Sequence, residues 1–481
     1  LGVWLYLSTR LPSGFPPGPR PWPIIGNLHL LAKDPFHSHK TLAKLSDKYG
    51  PVVGLKFGSH TTVIINGLEA LREAYVKKAE DYSNRPFFIY AFTMATIVQG
   101  RRRGILWTDG QVWRDSRRFA LMSMRDFGLG KRSLETRIQE EGAAMCAEIA
   151  KENGKPFDIK TLAKEAPSNV ICSICFGSRF EYNDPDFKKL LELLNQIFTS
   201  TIFASMVNFF PFLRYVVPMY FWIGDLLHTF AAIDLFIKKQ IEQHRTSFDP
   251  GNIRDFVDLY LEKEMEEHED DEAFCRANMQ RIILDLFTAG SESTGTGLRW
   301  FLLHMIHDHY IQKRCQEEID HVIGAERPPS LEDRAKMPFF EATILEMLRH
   351  ANIVPLVAIH ATTKDTTLLK YKVPKDTMVI SNTYAIHMDP CLWENPEVFR
   401  PERWIDENGA LRKQDSLVAF STGPRTCIGE NLARNELFIF SACLLQRFSF
   451  SMVDKKNPPS LEGKLGVSLS PARFTLIATP R

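Results

Sequence analysis

The chain has 481 residues, 44% of them apolar and 24% charged, a globular balance that excludes a disordered or low-complexity polymer and permits a large core. Lysine and arginine number 59 against 58 aspartate and glutamate, so bulk charge gives no reason to expect a nucleic-acid or strongly acidic partner, and any charged docking face must be local. The 8 cysteines lack a disulfide-framework rhythm and no N-x-[ST] acceptor occurs, which favours a reducing compartment.

The chain opens with Leu1 to Leu7 (LGVWLYL), then Arg10, then a proline-rich stretch from Pro12 to Pro23 (PSGFPPGPRPWP). The apolar run is far short of the roughly 20 residues that span a bilayer. It reads either as the end of a membrane anchor over 1–11 or as a frayed tail with chance leucines, with a proline-rich hinge over 12–26 and a single domain over 27–481. In the anchor reading, Arg10, Arg20 and Lys33 put that domain on the cytoplasmic side. Short strands are expected at Val52–Phe57 and Thr62–Ile65. From Trp113 to Leu348 the apolar spacing is mainly helical, with helices at Glu135–Lys151, Asp186–Phe203, Leu226–His244, Asn252–Glu267, Asp271–His307 and Tyr310–Ile323. Cys172 and Cys175 form a C-x-x-C pair, but Asn169–Phe176 (NVICSICF) reads as a buried helix rather than a redox turn. The acidic stretch Glu264–Glu272 is a solvated helix end or loop. Strands return at Thr367–Val373, Thr377–Asn382 and Phe474–Thr479. The fold class is therefore mainly α with small β-sheets at both ends of one mixed domain.

Gly128–Ser133 (GLGKRS) hints at a phosphate loop but lacks the leading glycine, and Arg132 stands where a hydroxyl residue is needed. No G-x-G-x-x-G follows a strand either, so the chain shows no nucleotide site of its own. Inside the longest helix, Ala289–Thr294 (AGSEST) is followed by Gly295 and Gly297. A glycine inside a helix costs about 1 kcal/mol against alanine, and a local opening of the helix is the expected gain. Glu346–Arg349 (EMLR) is an i,i+3 ion pair that an arginine from Phe399–Arg403 (FRPER) could complete. Phe420–Gly429 reads FSTGPRTCIG and precedes a helical run over Glu430–Phe448. Cys427 thus sits just before a helix N-terminus, whose free N–H groups and positive potential favour a thiolate. Gly423 and Gly429 allow the backbone to approach a flat cofactor, and Arg425 adds a cation.

The pattern F-x-x-G-x-R-x-C-x-G resembles the haem-binding loop of the cytochrome P-450 superfamily, and average usage gives a chance match in this length of about 10⁻⁴. The resemblance runs from Pro16 to Arg481 and is strongest to microsomal drug-, steroid- and fatty-acid-hydroxylating members. It implies the cytochrome P-450 fold, haem b as cofactor, Cys427 as the iron ligand and Phe420 and Arg425 as further haem contacts. It assigns Trp113, Arg117 and His360 to the haem propionates, although Ile359 stands where relatives usually have proline. Ala289 would pass over the iron, with Glu292, Ser293 and Thr294 as proton-relay residues; Ser293 replaces the usual threonine. Glu346, Arg349 and Arg403 would be structural, with Trp404 in place of the usual phenylalanine.

The implied activity is insertion of one atom of O2 into a lipophilic xenobiotic, steroid or fatty acid. Electrons would come from NADPH through an NADPH-cytochrome reductase, with cytochrome b5 as a second donor, at the endoplasmic reticulum membrane. Ile105, Leu106, Trp107, Phe198–Phe203, Phe287, Ala289, Val354, Ala358 and Val467 would line the substrate pocket. Arg101, Arg102 and Arg103 are either surface charges or a site for an anionic head. Arg114, Arg118, Lys131, Arg132, Arg412 and Lys413 are candidates for the reductase face. Val216–Ile223 (VVPMYFWI) either dips into the bilayer or is core. Haem-thiolate rearrangement of peroxides or dehydration of oximes and a non-catalytic haem sensor or carrier are rival classes; NADPH consumption with a reductase discriminates the first, and a spectral shift with lipophiles followed by product formation excludes the second.

Overall fold

The computed structural model describes residues 9–86, 97–98, 101–126, 132–210, 213, 215, 217–266 and 272–481, and side chains for all of these except 97–98, 101, 126, 132–133, 198–207 and 217–223. Leu1–Leu7, much of GLGKRS, the side chains of Phe198–Phe203 and nearly all of Val216–Ile223 lie outside these residues.

Near the N-terminus, β1 (Val52–Phe57) pairs antiparallel with β2 (His60–Ile65), with Val52 opposite Ile65 and Phe57 opposite His60. Two later strands, β3 (His360–Ala361) and β4 (Met378–Ser381), complete a sheet of order β1-β2-β4-β3, in which β2 and β4 run parallel. The apolar runs Val63–Ile65 and Met378–Ile380 are buried on both faces, which is why they show no alternation in sequence. The proline-rich stretch lies along β1, where the Gly54 N–H donates to Pro17 at 2.9 Å and Phe15 is buried. It is thus held by the sheet and is not a free linker.

The body is helical. Its described helices include α1 (Gly110–Asp126), α2 (Arg132–Ala150), α3 (Lys160–Phe176), α4 (Pro185–Phe209), α5 (Val217–Thr246), α6 (Phe256–Glu266), α7 (Arg276–His307), α8 (His309–Val322), α9 (Pro338–Ala351) and α10 (Glu430–Arg447). Local chemistry sets several ends. The Asp308 carboxylate caps α8, accepting from the N–H groups of Tyr310 and Ile311, an arrangement worth about 1 kcal/mol. Pro338 opens α9, and Asn352 closes it in the left-handed conformation at φ +46°. Among the described residues no helix is long and apolar enough to cross a membrane.

The segment expected as one strand over 367–373 is a hairpin of Thr366–Leu368 and Tyr371–Val373, turned at Leu369 with φ +52°. Two further antiparallel pairs lie near the C-terminus: β5 (Phe448–Met452) with β8 (Leu476–Pro480), and β6 (Gly463–Leu465) with β7 (Leu469–Pro471).

The helix α7 is continuous over Arg276–His307, so the expected opening is absent. Its glycines answer a different need, close packing. A Cβ on Gly295 would lie 2.6 Å from the Ala163 carbonyl oxygen of α3, one on Gly290 would lie 2.9 Å from Ile171, and one on Gly297 would press on Ile353 and Leu437 at 3.1 Å. The helical cost of glycine is therefore offset by bringing α3 and α10 close to α7.

Candidate active site

Cys427 lies at the end of a loop closed on itself by hydrogen bonds from the Cys427 N–H to Phe420 (3.0 Å) and from the Thr426 N–H to Gly423 (3.0 Å). Gly423 has φ +80°, and a Cβ there would collide with the Tyr75 carbonyl at 1.7 Å, so this glycine serves protein packing. Nothing lies near a Cβ on Gly429, which leaves open space beside the loop. The Cys427 side chain keeps accessible area although protein encloses it; both hold if it stands on the wall of a cleft. Burial pushes its thiol above the ordinary value, against a Gly429 N–H hydrogen bond and the Arg117 charge. The helix N-terminus alone does not make the sulfur a thiolate; a bound cation would.

Facing walls are tied to this loop by buried and half-buried side chains. Arg425 donates to the carbonyls of Ser83 (3.1 Å), Ile105 (3.3 Å) and Thr108 (2.6 Å), and its guanidinium lies 3.8 Å from the Trp113 ring centre. Arg85, which sequence reasoning missed, donates to Leu106, Ala358 and Ile359, each at 2.9 Å. Asp285 on α7, also missed, accepts from the N–H groups of Ile105 (2.7 Å) and Leu106 (2.9 Å). Segment 105–107, Ala358, the cysteine loop and α7 are thereby fixed around one space. The N–H of Leu469, on the β6–β7 hairpin, donates to Ile353 and brings Val467 and Val354 to the same region. Both missed residues looked like ordinary charged positions in sequence, since their partners are backbone groups far along the chain.

On α7, Ala289 is exposed and Ser293, one turn on, is half-buried, an open strip on a mostly buried helix. The Ser293 hydroxyl donates back to the Ala289 carbonyl at 2.7 Å. Phe287 does not join this strip: it is fully buried against Phe176, with ring centres 5.7 Å apart. Thr294 also turns away, into contact with the buried Glu436 carboxyl of α10, which burial pushes well above the ordinary carboxyl range. Glu292 pairs with Lys164 of α3 at 3.2 Å.

The space takes cations poorly. Burial pushes Arg425 down to about 8, with Arg85, Arg117 and Arg102 repelling it, and Arg85 down to about 10. His360 is buried, stacks on Tyr75 at 4.2 Å and presents Nδ1 to the Tyr82 carbonyl at 2.8 Å; burial and then Arg85 hold it neutral. Arg117 donates to the Thr426 carbonyl at 2.7 Å, beside the cysteine. Of the described carboxylates nearby, Asp109 is committed to Arg102 at 2.6 Å and Asp285 to the backbone of Ile105 and Leu106. The Trp113 indole N–H is buried without a partner. Guanidinium charges partnered, among the described residues, only by carbonyls and a partnerless Trp113 N–H suit a group carrying carboxylates, and the accessible sulfur beside them suits a metal ion.

The ion trio expected from the sequence is assembled. The fully buried Glu346 carboxylate accepts from Arg349 at 2.8 and 2.9 Å, from Arg403 at 2.9 Å, from the Trp404 indole at 2.9 Å and from the Arg400 N–H at 2.9 Å. Arg349 also donates to the His387 carbonyl at 2.9 Å, and the His387 Nε2 accepts the Val418 N–H at 3.0 Å. Three residues thus separate the carboxylate from the start of the cysteine loop.

Elsewhere, His244, Asp255 and Asp258 lie close enough to hold a metal ion. However, the His244 nitrogens are taken by Asp255 and the Gln240 carbonyl, both at 2.9 Å, and Arg254 clasps Asp258. That cluster is an ion-pair network.

A mainly helical fold around an accessible cysteine loop, with guanidinium charges and a partnerless indole N–H beside it, fits a haem-thiolate type of enzyme. The comparisons agree: the family model "Cytochrome P450" matches residues 16–478, and the chain belongs to the cytochrome P450 family. It is 39% identical to "Cytochrome P450 2J3" of Rattus norvegicus and to "Cytochrome P450 2J2" of Homo sapiens, over 99% of this chain and 93% of each relative. It is 36% identical to "Cytochrome P450 2U1" of Homo sapiens, over 99% of this chain and 91% of the relative. The protein is therefore a haem-binding monooxygenase that uses O2, redox partners and a lipophilic substrate, as the resemblance implied.

Proposed function

We propose that Cys427 holds the haem iron and that the space between the cysteine loop and the Ala289–Ser293 strip is where a lipophilic xenobiotic, steroid or fatty acid is hydroxylated. When bound, the haem supplies O2 activation, its potential tuned by the thiolate. The observation that carries this reading is the enclosed yet accessible Cys427 residue, set among Arg85, Arg117 and Arg425, which among the described residues hydrogen-bond to backbone carbonyls.

Trp113, Arg85, Arg425 and His360 would hold the propionates. Phe420, under the Arg434 guanidinium at 4.9 Å, would pack beside the sulfur. Arg117 would steady the loop through Thr426. Glu292 would pass protons inward and Ser293 would hold a hydroxyl over the reacting centre. Ile105, Leu106, Trp107, Val354, Ala358 and Val467 would orient the substrate by apolar contact and exclude water. Glu346, Arg349 and Arg403 would fix the loop.

The redox partner is an NADPH-dependent flavoprotein reductase, with cytochrome b5 as a second donor. Support comes from exposed Arg114, Arg118, Arg412 and Lys413 and from a cavity of about 420 Å³ lined by Arg72, Arg412, Lys413 and Arg434 beside Ser421 of the cysteine loop. We place the enzyme at the endoplasmic reticulum membrane, facing the cytoplasm, on the apolar start and the basic residues after it. The test is Cys427→Ser. Loss of the long-wavelength carbon monoxide band of the reduced form, and of product from a steroid, fatty-acid and drug panel, is expected; retention of the band overturns the reading.

A further inference from the structure

The Glu292 carboxylate is held from two sides by residues outside the cysteine loop and the pocket wall. One oxygen pairs with Lys164 of α3 at 3.2 Å, and the other lies 3.5 Å from the Ser468 hydroxyl of the β6–β7 hairpin. Ser468 lies 3.1 Å from the Ser470 hydroxyl, and the Thr296 hydroxyl of α7 sits within 3.4 Å of both serines. Ser468 is buried and Ser470 half-buried, so the hydroxyls step from an accessible hairpin position to the carboxylate.

Hydroxyls in series both donate and accept, so a proton arriving at the outer end can be passed on as each group gives up its own. Apolar side chains at 468 and 470 would have filled the same space without that property. The placement of Lys164 has its own structural cause. Gly295 lets α3 approach until its backbone at Ala163 and Lys164 would touch a Cβ, which brings the lysine within reach of Glu292. Arg299, one turn beyond Thr296, donates to the carbonyls of Pro471 and Ala472 and adds a second positive charge near Glu292, while the ion-pair contact is made by the lysine.

We propose that Ser470 and Ser468 carry protons from solvent to Glu292, and that Lys164 is a positioning residue holding the carboxylate toward Ser468. This rests on the reading of Glu292 as the inner relay group. The net step is proton transfer only: a proton enters at Ser470 from water, and one leaves the Glu292 carboxyl inward.

The experiment uses the haem-loaded protein with an NADPH-dependent flavoprotein reductase and dodecanoic acid as probe, comparing Ser468→Ala, Ser468→Thr, Lys164→Gln and Glu292→Gln. Carbon monoxide spectra first establish intact haem ligation. Ser468→Ala is expected to raise the fraction of NADPH electrons released as peroxide at least threefold and to enlarge the solvent deuterium isotope effect, while Ser468→Thr, which keeps the hydroxyl, restores both. Independently of turnover, the infrared carboxylate band of the resting protein that disappears in Glu292→Gln should shift in Lys164→Gln and Ser468→Ala but not in Ser468→Thr. If Glu292→Gln uncouples the reaction while Ser468→Ala and Lys164→Gln match the parent in isotope effect and infrared band, the outer relay is overturned and the role of Glu292 stands. If Glu292→Gln itself leaves coupling unchanged, the underlying reading fails as well.

Discussion

Replacing Glu346 by glutamine keeps the shape of the side chain and removes its charge. The parent carboxylate takes five donor contacts, two from Arg349 and one each from Arg403, Trp404 and the Arg400 N–H. Glu346 and Arg349 are both 0% exposed and Arg403 is 5% exposed. The amide leaves two guanidinium groups facing each other without an anion, and its NH2 points into a cluster of donors. Removing one partner of such a buried pair costs about 3–5 kcal/mol, a large share of a domain stability of about 5–15 kcal/mol. The sign with pH follows from the carboxyl being held below its ordinary 4.5: burial alone would raise it, but Arg349 and the other donors outweigh that. Its contribution is fully present above 4.5 and is lost as pH falls through the lower folded value. Urea unfolding of the haem-loaded protein, followed by circular dichroism, should show the loss at pH 7, and a smaller difference between parent and variant at acid pH. A Glu346→Gln protein within 1 kcal/mol of the parent at pH 7 would refute the reasoning.

Asp285 offers the opposite sign. Burial raises its carboxyl to about 6 from 3.8, so its ionised form opposes folding and stability falls as pH rises from about 4 to 6, by at most about 3 kcal/mol. Asp285→Asn, whose amide oxygen can still accept from Ile105 and Leu106, should be the more stable protein at pH 8, and its unfolding midpoint should lose that pH dependence. At Ser293, the Thr variant adds a methyl that restricts χ1, and should roughly halve peroxide release per NADPH; equal coupling ratios would defeat this. His387→Phe removes the acceptor of the Val418 N–H, at a cost of about 1–3 kcal/mol, and should increase the fraction of protein with a displaced carbon monoxide band. Burial, then Arg349, depresses the parent imidazole to about 3, so this link should not vary between pH 5 and 9.

Much of the site was readable because its motifs are local. Phe420–Gly429 carries its turn, its sulfur and its following helix in ten consecutive residues, and Glu346 and Arg349 meet because they are three apart on a helix. The helices of the middle were legible from apolar spacing, although ends shifted where the stop signal was tertiary, as at α7, which starts at Arg276 rather than Asp271. The hairpin at Leu369 was missed because a non-glycine residue takes the left-handed conformation there. The glycines of α7 were misread for a related reason: a helix sequence shows the cost of a glycine but not the neighbour that exploits it. Arg85 and Asp285 were invisible because their partners are backbone carbonyls and N–H groups. Phe287 and Thr294 were assigned by motif proximity, and the helical rotation of α7 carries both away from the Ala289 face.

The arginines beside the cysteine loop would make the haem part of the fold and not merely of the reaction. Arg85, Arg117 and Arg425 are all lowered by burial, and Arg425 is further lowered by the others. Carbonyls satisfy their hydrogens, but carbonyls do not neutralise charge, and like charges in a partly dry space repel by several kcal/mol. Two carboxylates delivered on a rigid apolar ring would remove that repulsion and give the Trp113 indole an acceptor. Stripping the haem should therefore lower the unfolding midpoint at pH 7. Because guanidinium groups stay charged over the ordinary pH range, the repulsion among Arg85, Arg117 and Arg425 in the stripped protein should be relieved by salt, so its stability should rise with ionic strength, whereas that of the loaded protein, its cations paired, should not. Urea midpoints at low and high salt decide the matter: parallel changes in stripped and loaded protein would show that the cations are not waiting for an anion.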